Sequence, residues 1–418
     1  MNPFEFNSPI NFEEYYNWEE IYPKPYNSKT ASPYTKARVI LMNGCETENA
    51  FFLHNFQRNC QDNNLRRELS KIRTIHQQMQ KKVQCLKPID ENILDETIIY
   101  ELLAVDLTAH MAQCEPDKYV KESLDFALLE DFDHLYRYSN LMKQEYGKDA
   151  SYLVGKYSEI TPARPTISHH RYPEDNVKRW SSSNVALITK LHSNVITAAE
   201  QQTMNFYMNV CNLYPSDMGR RLYQEIGMVE EEHVTQYGSL LNTTLTYLEN
   251  LVMHMYTTCY LYYSCMKDEL DKNIYCVWEK CFFQSVANLQ ESSKLLKKYE
   301  NKDWNCVIEC GEFPELIKLH PNVEYVRDVL KYTVTYTSLL EDYCPVDNMP
   351  NDSNFFKYQA IVNNNISCVP SHDVICRAIR KFGCDYRFEK GPNPIESLRN
   401  RKCDNYTLGR VKQKRDTN

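Results

Sequence analysis

Two histidines in this chain each follow an acidic residue by three positions. Asp131 precedes His134 and Glu230 precedes His233, whereas the other nine of the 11 histidines lack an acid at this spacing. A carboxylate and an imidazole three positions apart lie on one face of a helix, where both can bind the same metal ion. The pattern therefore predicts two helices that each contribute an acid and a histidine to a metal site.

A glutamate stands 30 positions before each of these acids. Glu101 precedes Asp131 by this interval, and Glu200 precedes Glu230 by the same one. In an antiparallel pair of helices that rise 1.5 Å per residue, about 13 residues down, a short turn and about 13 back return the chain to the same height. Both glutamates have apolar neighbours, which indicates a buried position with a partner. Each glutamate is thus expected to face an acid–histidine pair.

Apolar periodicity and helix stop signals place these residues on four helices. The segments are helix, short turn, helix, long connection with three prolines, helix, short turn, helix. This is the connectivity of a four-helix bundle with one long crossover. The predicted helices span about 91–114, 117–146, 184–210 and 216–241, and the connection spans 148–183.

The six residues together resemble the metal ligands of the ferritin-like di-iron carboxylate superfamily, in bundles of the rubrerythrin and bacterioferritin type. That set has one Glu from each of two helices and Glu-x-x-His from each of the other two. The resemblance covers about 91–243 and assigns no subfamily. It implies two iron ions, or manganese or a mixed iron–manganese pair, and reaction with O2 or peroxide. The implied metal ligands are Glu101, Asp131, His134, Glu200, Glu230 and His233.

One ligand position departs from the family pattern, because Asp131 stands where the family has Glu. An aspartate is one methylene shorter, so it could bridge two metals poorly, bind only one, or leave an open coordination position. Glu130 and Asp133 are close in sequence, but each is one residue out of phase with the required spacing.

Other polar residues lie within a turn or two of the ligand positions. Four tyrosines could hydrogen-bond the ligands or be redox-active, although packing is the commoner role in a chain with 31 tyrosines. They are Tyr138, Tyr207, Tyr223 and Tyr237. Residues that could orient ligands or cap the site are Gln201, Gln202, Asn205, His169 and His170. Histidines interpreted as structural are His54, His76, His110, His192 and His254.

The remainder of the chain is also predicted to be helical or irregular, which makes the fold class all-α. Residues 1–90 are expected to form an extended arm over 1–45 and a helix over 46–86. Residues 244–300 should form two more helices, 244–268 and 271–299, packed on the bundle. Residues 301–418 are expected to be a mixed extension, with helical stretches near 322–343 and 372–382.

Composition excludes several other classes of protein. Only 10 of 418 residues are glycine, too few for a glycine-rich phosphate-binding fold. The net charge of −8 argues against nucleic-acid binding. None of the 16 cysteines forms C-x-x-C, which excludes a rubredoxin-type iron site, a zinc ribbon and a thioredoxin motif.

Location is predicted from the absence of export and membrane signals. The first residues have neither a basic start nor an apolar run, so they do not predict a secretion signal. The uncharged stretch 250–266 is shorter and more polar than a transmembrane helix requires. These features, with the cysteines read as reduced, predict a cytoplasmic protein that does not enter a membrane.

The resemblance leaves two functions open. The first is a dinuclear iron or manganese oxidoreductase acting on a small molecule or peroxide, with an unknown electron donor and possible homo-oligomerisation. The residues outside the bundle favour it over a storage ferritin, because they could form a substrate pocket. The second is a ferritin-like scaffold or interaction protein whose metal site is vestigial or structural.

Overall fold

All regular structure in the described part of the chain is helical, which confirms the all-α prediction. The computed structural model describes residues 1–158, 160, 181 and 184–332, together with 352, 374, 377–378 and 380–383. The α-helices bounded within these residues are α1 (Pro33–Asn59), α2 (Asn63–Gln84), α3 (Ile93–Cys114), α4 (Lys118–Tyr146), α5 (Ser151–Val154), α6 (Leu187–Leu213), α7 (Asp217–Gly238), α8 (Tyr247–Asp268), α9 (Lys272–Glu300) and α10 (Val323–Tyr332). A 3-10 turn covers Trp304–Cys306.

Four helices, α3, α4, α6 and α7, form two antiparallel hairpins that face each other. α3 packs along α4 and α6 along α7, and the hairpins meet through α3 with α6 and α4 with α7. Side chains of Asn92, Asp117 and Ser216 cap the starts of α3, α4 and α7 by accepting hydrogen bonds from backbone N–H groups. Gly147, in the left-handed conformation, ends α4. The fold thus has the predicted order of helices.

The predicted bounds of the bundle helices and of α8 and α9 agree with the structure to within three residues. The short helix α5 lies at the start of the connection predicted over 148–183, most of which lies outside the described residues. The stretch predicted at 322–343 is helical through Tyr332, and its remaining residues lie outside the described part. The described residues of the stretch 372–382 are helical as well.

The N-terminal region differs from the prediction of one helix over 46–86. The structure has two helices, and α1 begins at Pro33, inside the stretch 1–45 that the sequence predicts to be an extended arm. Ser32 caps α1, and Pro33 is the first residue of the helix, where a missing backbone N–H costs no hydrogen bond. The break at 60–62 contains neither proline nor glycine, so the strongest helix-breaking residues are absent from it. The side chain of Asp62 then caps the start of α2.

The two helices after the bundle pack mainly on this N-terminal hairpin. α8 and α9 form a hairpin in which α8 contacts α1 and α6, and α9 contacts α2. The expected packing on the bundle is therefore largely indirect, through α1, which also contacts α3 and α6. The arm, residues 1–32, lies over this group: the Ser8 hydroxyl donates to the carbonyl of Phe283 and Gln78 binds the backbone of Tyr16. No helix among the described residues is long and apolar enough to cross a membrane.

Candidate metal centre

The structure brings the six predicted ligand residues together in the interior of the two hairpins. Glu101 comes from α3, Asp131 and His134 from α4, Glu200 from α6, and Glu230 and His233 from α7. All six residues are buried, with at most 2% of their surface exposed. The 30-residue spacing produces this meeting, because each hairpin returns the chain to the height from which it started.

The six side chains form two clusters that share one residue. The larger cluster contains Asp131, Glu200, Glu230 and His233, and the smaller one contains Glu101, His134 and Glu230. Within each cluster the candidate ligand atoms lie within 4.8 Å of one another, so each could hold a metal ion. Glu230 belongs to both, so its carboxylate links the two positions.

Distances between the side chains show how Glu230 spans the site. Its Oε1 lies 2.8 Å from Nδ1 of His134, and its Oε2 lies 3.1 Å from Nδ1 of His233. The same His233 nitrogen is 3.5 Å from Asp131 Oδ1 and 3.9 Å from Glu200 Oε2. The two imidazole rings are 6.1 Å apart between centroids. Each histidine thus presents one nitrogen to the carboxylates of its own cluster.

Several oxygens of these carboxylates are buried without a hydrogen bond. Among the described residues, no donor satisfies either oxygen of Asp131, either oxygen of Glu200, or Oε2 of Glu101. A buried carboxylate left without partners costs several kcal/mol, on the order of the penalties measured for broken buried ion pairs. Carboxylate and imidazole donors together suit Fe, Mn and Zn. The donor set therefore fits a divalent metal.

The pKa values of these carboxyl groups in the protein without metal reflect the same lack of partners. Burial, with neighbouring carboxylates, raises the pKa of Glu101 and of Asp131 well above their usual range, and raises that of Glu200 to about 7. Burial opposes the charge of Glu230 too, but His134 and His233 outweigh it and lower the pKa of that carboxyl. The metal-free site therefore holds protons, which a metal must displace.

The position of Asp131 bears on its departure from the family pattern. It belongs to the cluster of Glu200, Glu230 and His233 and not to that of Glu101 and His134. Its neighbours Glu130 and Asp133 are buried but belong to neither cluster of described residues, as their phase predicted. Asp133 instead accepts a hydrogen bond of 3.0 Å from Nε of Arg137.

The four tyrosines near the site have different surroundings. The hydroxyl of Tyr207 donates to Oε1 of Glu101, which orients that carboxylate and leaves its second oxygen for a metal. Tyr223 bonds the hydroxyl of Thr97, and the ring of Tyr138 contacts the rings of both Tyr207 and Tyr223. Tyr237 places its ring 6.4 Å from that of His233. Of these four, only Tyr207 has a hydrogen bond to a predicted ligand among the described residues.

The other polar candidates within the described residues do not reach the clusters. Gln202 donates to the hydroxyl of Tyr100, and Gln201 to Asn205. His76 and His192 each pair with a buried glutamate, Glu46 or Glu115, and His254 stacks on Phe52. His169 and His170 lie outside the described residues.

Two buried features outside the clusters were missed from sequence. Arg137 is fully buried next to Asp133, and the only available signal was its i+4 spacing from that acid. Glu46 precedes His76 by 30 residues, the interval that links the predicted ligands, and the two side chains meet at 2.6 Å between α1 and α2. A search of the sequence for this 30-residue interval would have found the two residues, although neither of them belongs to an acid-x-x-His pair.

No protein-family model, curated protein or solved structure matches this chain. The geometry alone defines the class: a protein whose described part is all helical, with a buried cluster of carboxylates and histidines that could hold a metal.

Proposed function

We propose that this protein is a dinuclear iron or manganese oxidoreductase, built on a bundle of the ferritin-like di-iron carboxylate type, that reacts with O2 or peroxide. The observation that carries the proposal is the pair of clusters that share Glu230. A single structural ion needs one set of ligands, whereas two adjoining sets linked by one carboxylate suit a pair of ions. The order of the four helices and their crossover supports the same assignment.

The ligands of the two positions follow from the clusters. One ion would be held by Asp131, Glu200, Glu230 and His233, and the other by Glu101, His134 and Glu230. Four carboxylates balance the charge of two divalent ions, which removes the cost of the buried acids. No cysteine belongs to either cluster of described residues, which favours iron or manganese over metals that prefer thiolates.

The smaller cluster is the candidate site of reaction. It offers three protein ligands, and catalytic metal sites commonly keep one position for a substrate. Two reduced ions, when bound, would supply two electrons to O2 or peroxide. Two features of the chain support this chemistry. Tyr207 orients Glu101 through its hydrogen bond, and the burial of all six ligand residues excludes bulk water.

The test is oxygen or peroxide consumption by protein loaded with ferrous ion under anaerobic conditions. We expect consumption in step with iron oxidation in the wild-type protein and its loss in Glu230→Gln, which removes the shared carboxylate charge. Glu231→Gln is the matched control, because Glu231 is the next residue of α7 and belongs to neither cluster. Tight metal binding without consumption would instead support a scaffold with a structural metal site.

A further inference from the structure

Four helices outside the two hairpins of the metal centre form a second helical bundle. α1 packs along α2 and α8 along α9, and these pairs meet through α1 with α8 and α2 with α9. We call α1, α2, α8 and α9 the second bundle. Each of its helices contributes one fully buried side chain to a group in its interior, which contains Glu46, His76, Met255 and Asn288. Buried polar groups need partners, so the contacts within this group indicate what it can bind.

Glu46 fixes the orientation of the His76 ring. Oε2 of Glu46 lies 2.6 Å from Nδ1 of His76, and Oε1 accepts a hydrogen bond of 2.7 Å from the hydroxyl of Tyr262. An ionised carboxylate only accepts hydrogen bonds, so Nδ1 carries a proton, and in the neutral ring Nε2 keeps its lone pair. Histidines that bind metals commonly donate their other ring N–H to a carboxylate in this way. The pair therefore presents Nε2 of His76 as a ligand.

The side chains that face Nε2 of His76 are a thioether and an amide. Sδ of Met255 lies 3.0 Å from this nitrogen, and Nδ2 of Asn288 lies 3.1 Å from it. Neither a thioether sulfur nor a lone-pair nitrogen can donate a hydrogen bond, so a proton or a metal ion must stand between them to make the contact favourable. Zinc-sized ions bind imidazole nitrogen at about 2.0–2.1 Å and sulfur at about 2.3 Å, so these two atoms can share one ion.

Unpartnered amide atoms adjoin the same place. Among the described residues, Oδ1 of Asn288 and both amide atoms of Gln284 have no hydrogen-bond partner, although neither residue is more than 1% exposed. The two residues are four positions apart on α9 and therefore lie on one face of the helix. A half-turn of the Asn288 amide would bring its oxygen to the present place of its nitrogen, beside Nε2 of His76. The group thus offers a third ligand atom.

The donor set selects a soft, singly charged ion. Imidazole nitrogen, thioether sulfur and amide oxygen are neutral ligands, and sulfur ligands favour Cu(I). The single charge of Glu46, on the far side of the His76 ring, balances one positive charge. The free thiol Cys259 follows Met255 by four positions on the same face of α8, which places another buried sulfur in this interior. The clusters of the metal centre differ, because they contain four carboxylates and no cysteine among the described residues.

We propose that His76 and Met255 bind a Cu(I) ion in the interior of the second bundle, at a site separate from the metal centre. His76 supplies Nε2, Met255 supplies Sδ, and the amide oxygen of Asn288 completes the site. Glu46 does not touch the ion and is a positioning residue, because it holds the ring of His76. The inference does not rest on the proposed function, since no residue of the two clusters takes part in it.

A purely structural role for the same contacts makes a different prediction. If both ring nitrogens of His76 carry protons, the ring donates to Glu46 and to the sulfur of Met255, and this buried ion pair ties α1, α2 and α8 together. A proton then occupies the place that the proposal gives to copper. In that case Met255 does not respond to Cu(I), whereas a ligand must respond.

The experiment follows the methyl group of Met255 by nuclear magnetic resonance of the full chain with isotope-labelled methionine methyl groups. Accessible thiols are first blocked with N-ethylmaleimide, because the chain has 16 cysteines that could bind copper. The signal of Met255 is the one missing from Met255→Leu. We expect one equivalent of Cu(I), added without oxygen, to shift this signal in the wild type, and we expect His76→Gln to lose the shift.

Two matched controls should keep the shift. His254→Gln changes the histidine next to Met255, whose ring stacks on Phe52 instead of joining the group. Glu230→Gln removes the shared carboxylate of the metal centre and leaves the second bundle intact. Ferrous ion should leave the Met255 signal in place, because it prefers the carboxylates of the clusters. In competition with a coloured Cu(I) chelator, Glu46→Gln should bind about 10–100-fold more weakly than the wild type.

Two results would overturn the proposal directly. The first is a Met255 signal that stays unshifted in the wild type at saturating Cu(I), which would support the ion pair. The second is a full shift in His76→Gln. If that variant does not fold, Met255→Leu decides in the chelator competition, because leucine replaces the thioether with a side chain of similar volume. We expect its affinity for Cu(I) to fall at least about tenfold, and an unchanged affinity would overturn the site.

Discussion

Replacing Glu200 with glutamine should stabilise the metal-free protein while weakening its metal site. Burial raises the pKa of Glu200 to about 7, against an ordinary value near 4.5 in the unfolded chain. A carboxyl whose pKa is higher in the folded state contributes its full stability below about pH 4.5, and loses it as the pH rises through about 7. The difference corresponds to about 3 kcal/mol of unfolding free energy. Glutamine cannot ionise and therefore avoids this loss.

The assay is urea unfolding of chelator-treated protein at about pH 5 and about pH 8. At the lower pH the glutamine is nearly isosteric with the mostly protonated acid, and the two proteins should differ by less than about 1 kcal/mol. At the higher pH Glu200→Gln should be more stable by about 2–3 kcal/mol. Added ferrous or manganous ion should reverse the order, because only the wild type retains all its ligands.

The control is again Glu231→Gln, which changes the same functional group outside the clusters. It should follow the wild type at both pH values and respond to metal in the same way. A metal-free Glu200→Gln protein that is less stable than the wild type at about pH 8 would refute the reasoning. Glu200 would then gain more from its neighbours than it loses through burial, and the site would not require a metal.

Three further substitutions test individual parts of the site. Glu101→Gln should lower the metal content from about two ions per chain to about one, measured by elemental analysis, because Glu101 belongs only to the smaller cluster. Asp131→Glu should retain metal and change the rate of iron oxidation, followed by stopped-flow absorbance; an unchanged rate and an unchanged X-ray absorption spectrum would remove Asp131 from the ligands. Tyr207→Phe should keep the metal content but weaken affinity by about 10–100-fold in competition with a chelator, because it removes the partner of Glu101. Unaltered affinity would show that this hydrogen bond does not tune the metal.

The helices that carry the candidate ligands could be predicted because helical geometry is regular. The rise per residue and the length of a short turn fix which residues of a hairpin stand opposite each other. Sequence spacing alone therefore links Glu101 with Asp131 and Glu200 with Glu230. Capping residues such as Asp117 mark the ends of the helices in the same local way.

Other features depend on contacts between distant segments and could not be predicted in this way. The break after Asn59 has no proline or glycine and only the capping residue Asp62 as a local signal, and it lets α1 and α2 fold back and bury Leu53 and Leu69. The assignment of Asp131 to one cluster depends on the distance between hairpins, which sequence spacing does not give. Spacing also placed four tyrosines near the site, but it could not show that, of these four, only Tyr207 forms a hydrogen bond to a predicted ligand within the described residues.

The most direct test of the central claim is the number of metal ions bound per chain at saturation. It is measured by elemental analysis after anaerobic loading with ferrous or manganous ion and removal of the excess. Two ions per chain in the wild type, with neither bound tightly by Glu230→Gln, is the result that two clusters joined by Glu230 predict. A wild-type protein that binds one ion or none at saturation would contradict the dinuclear site.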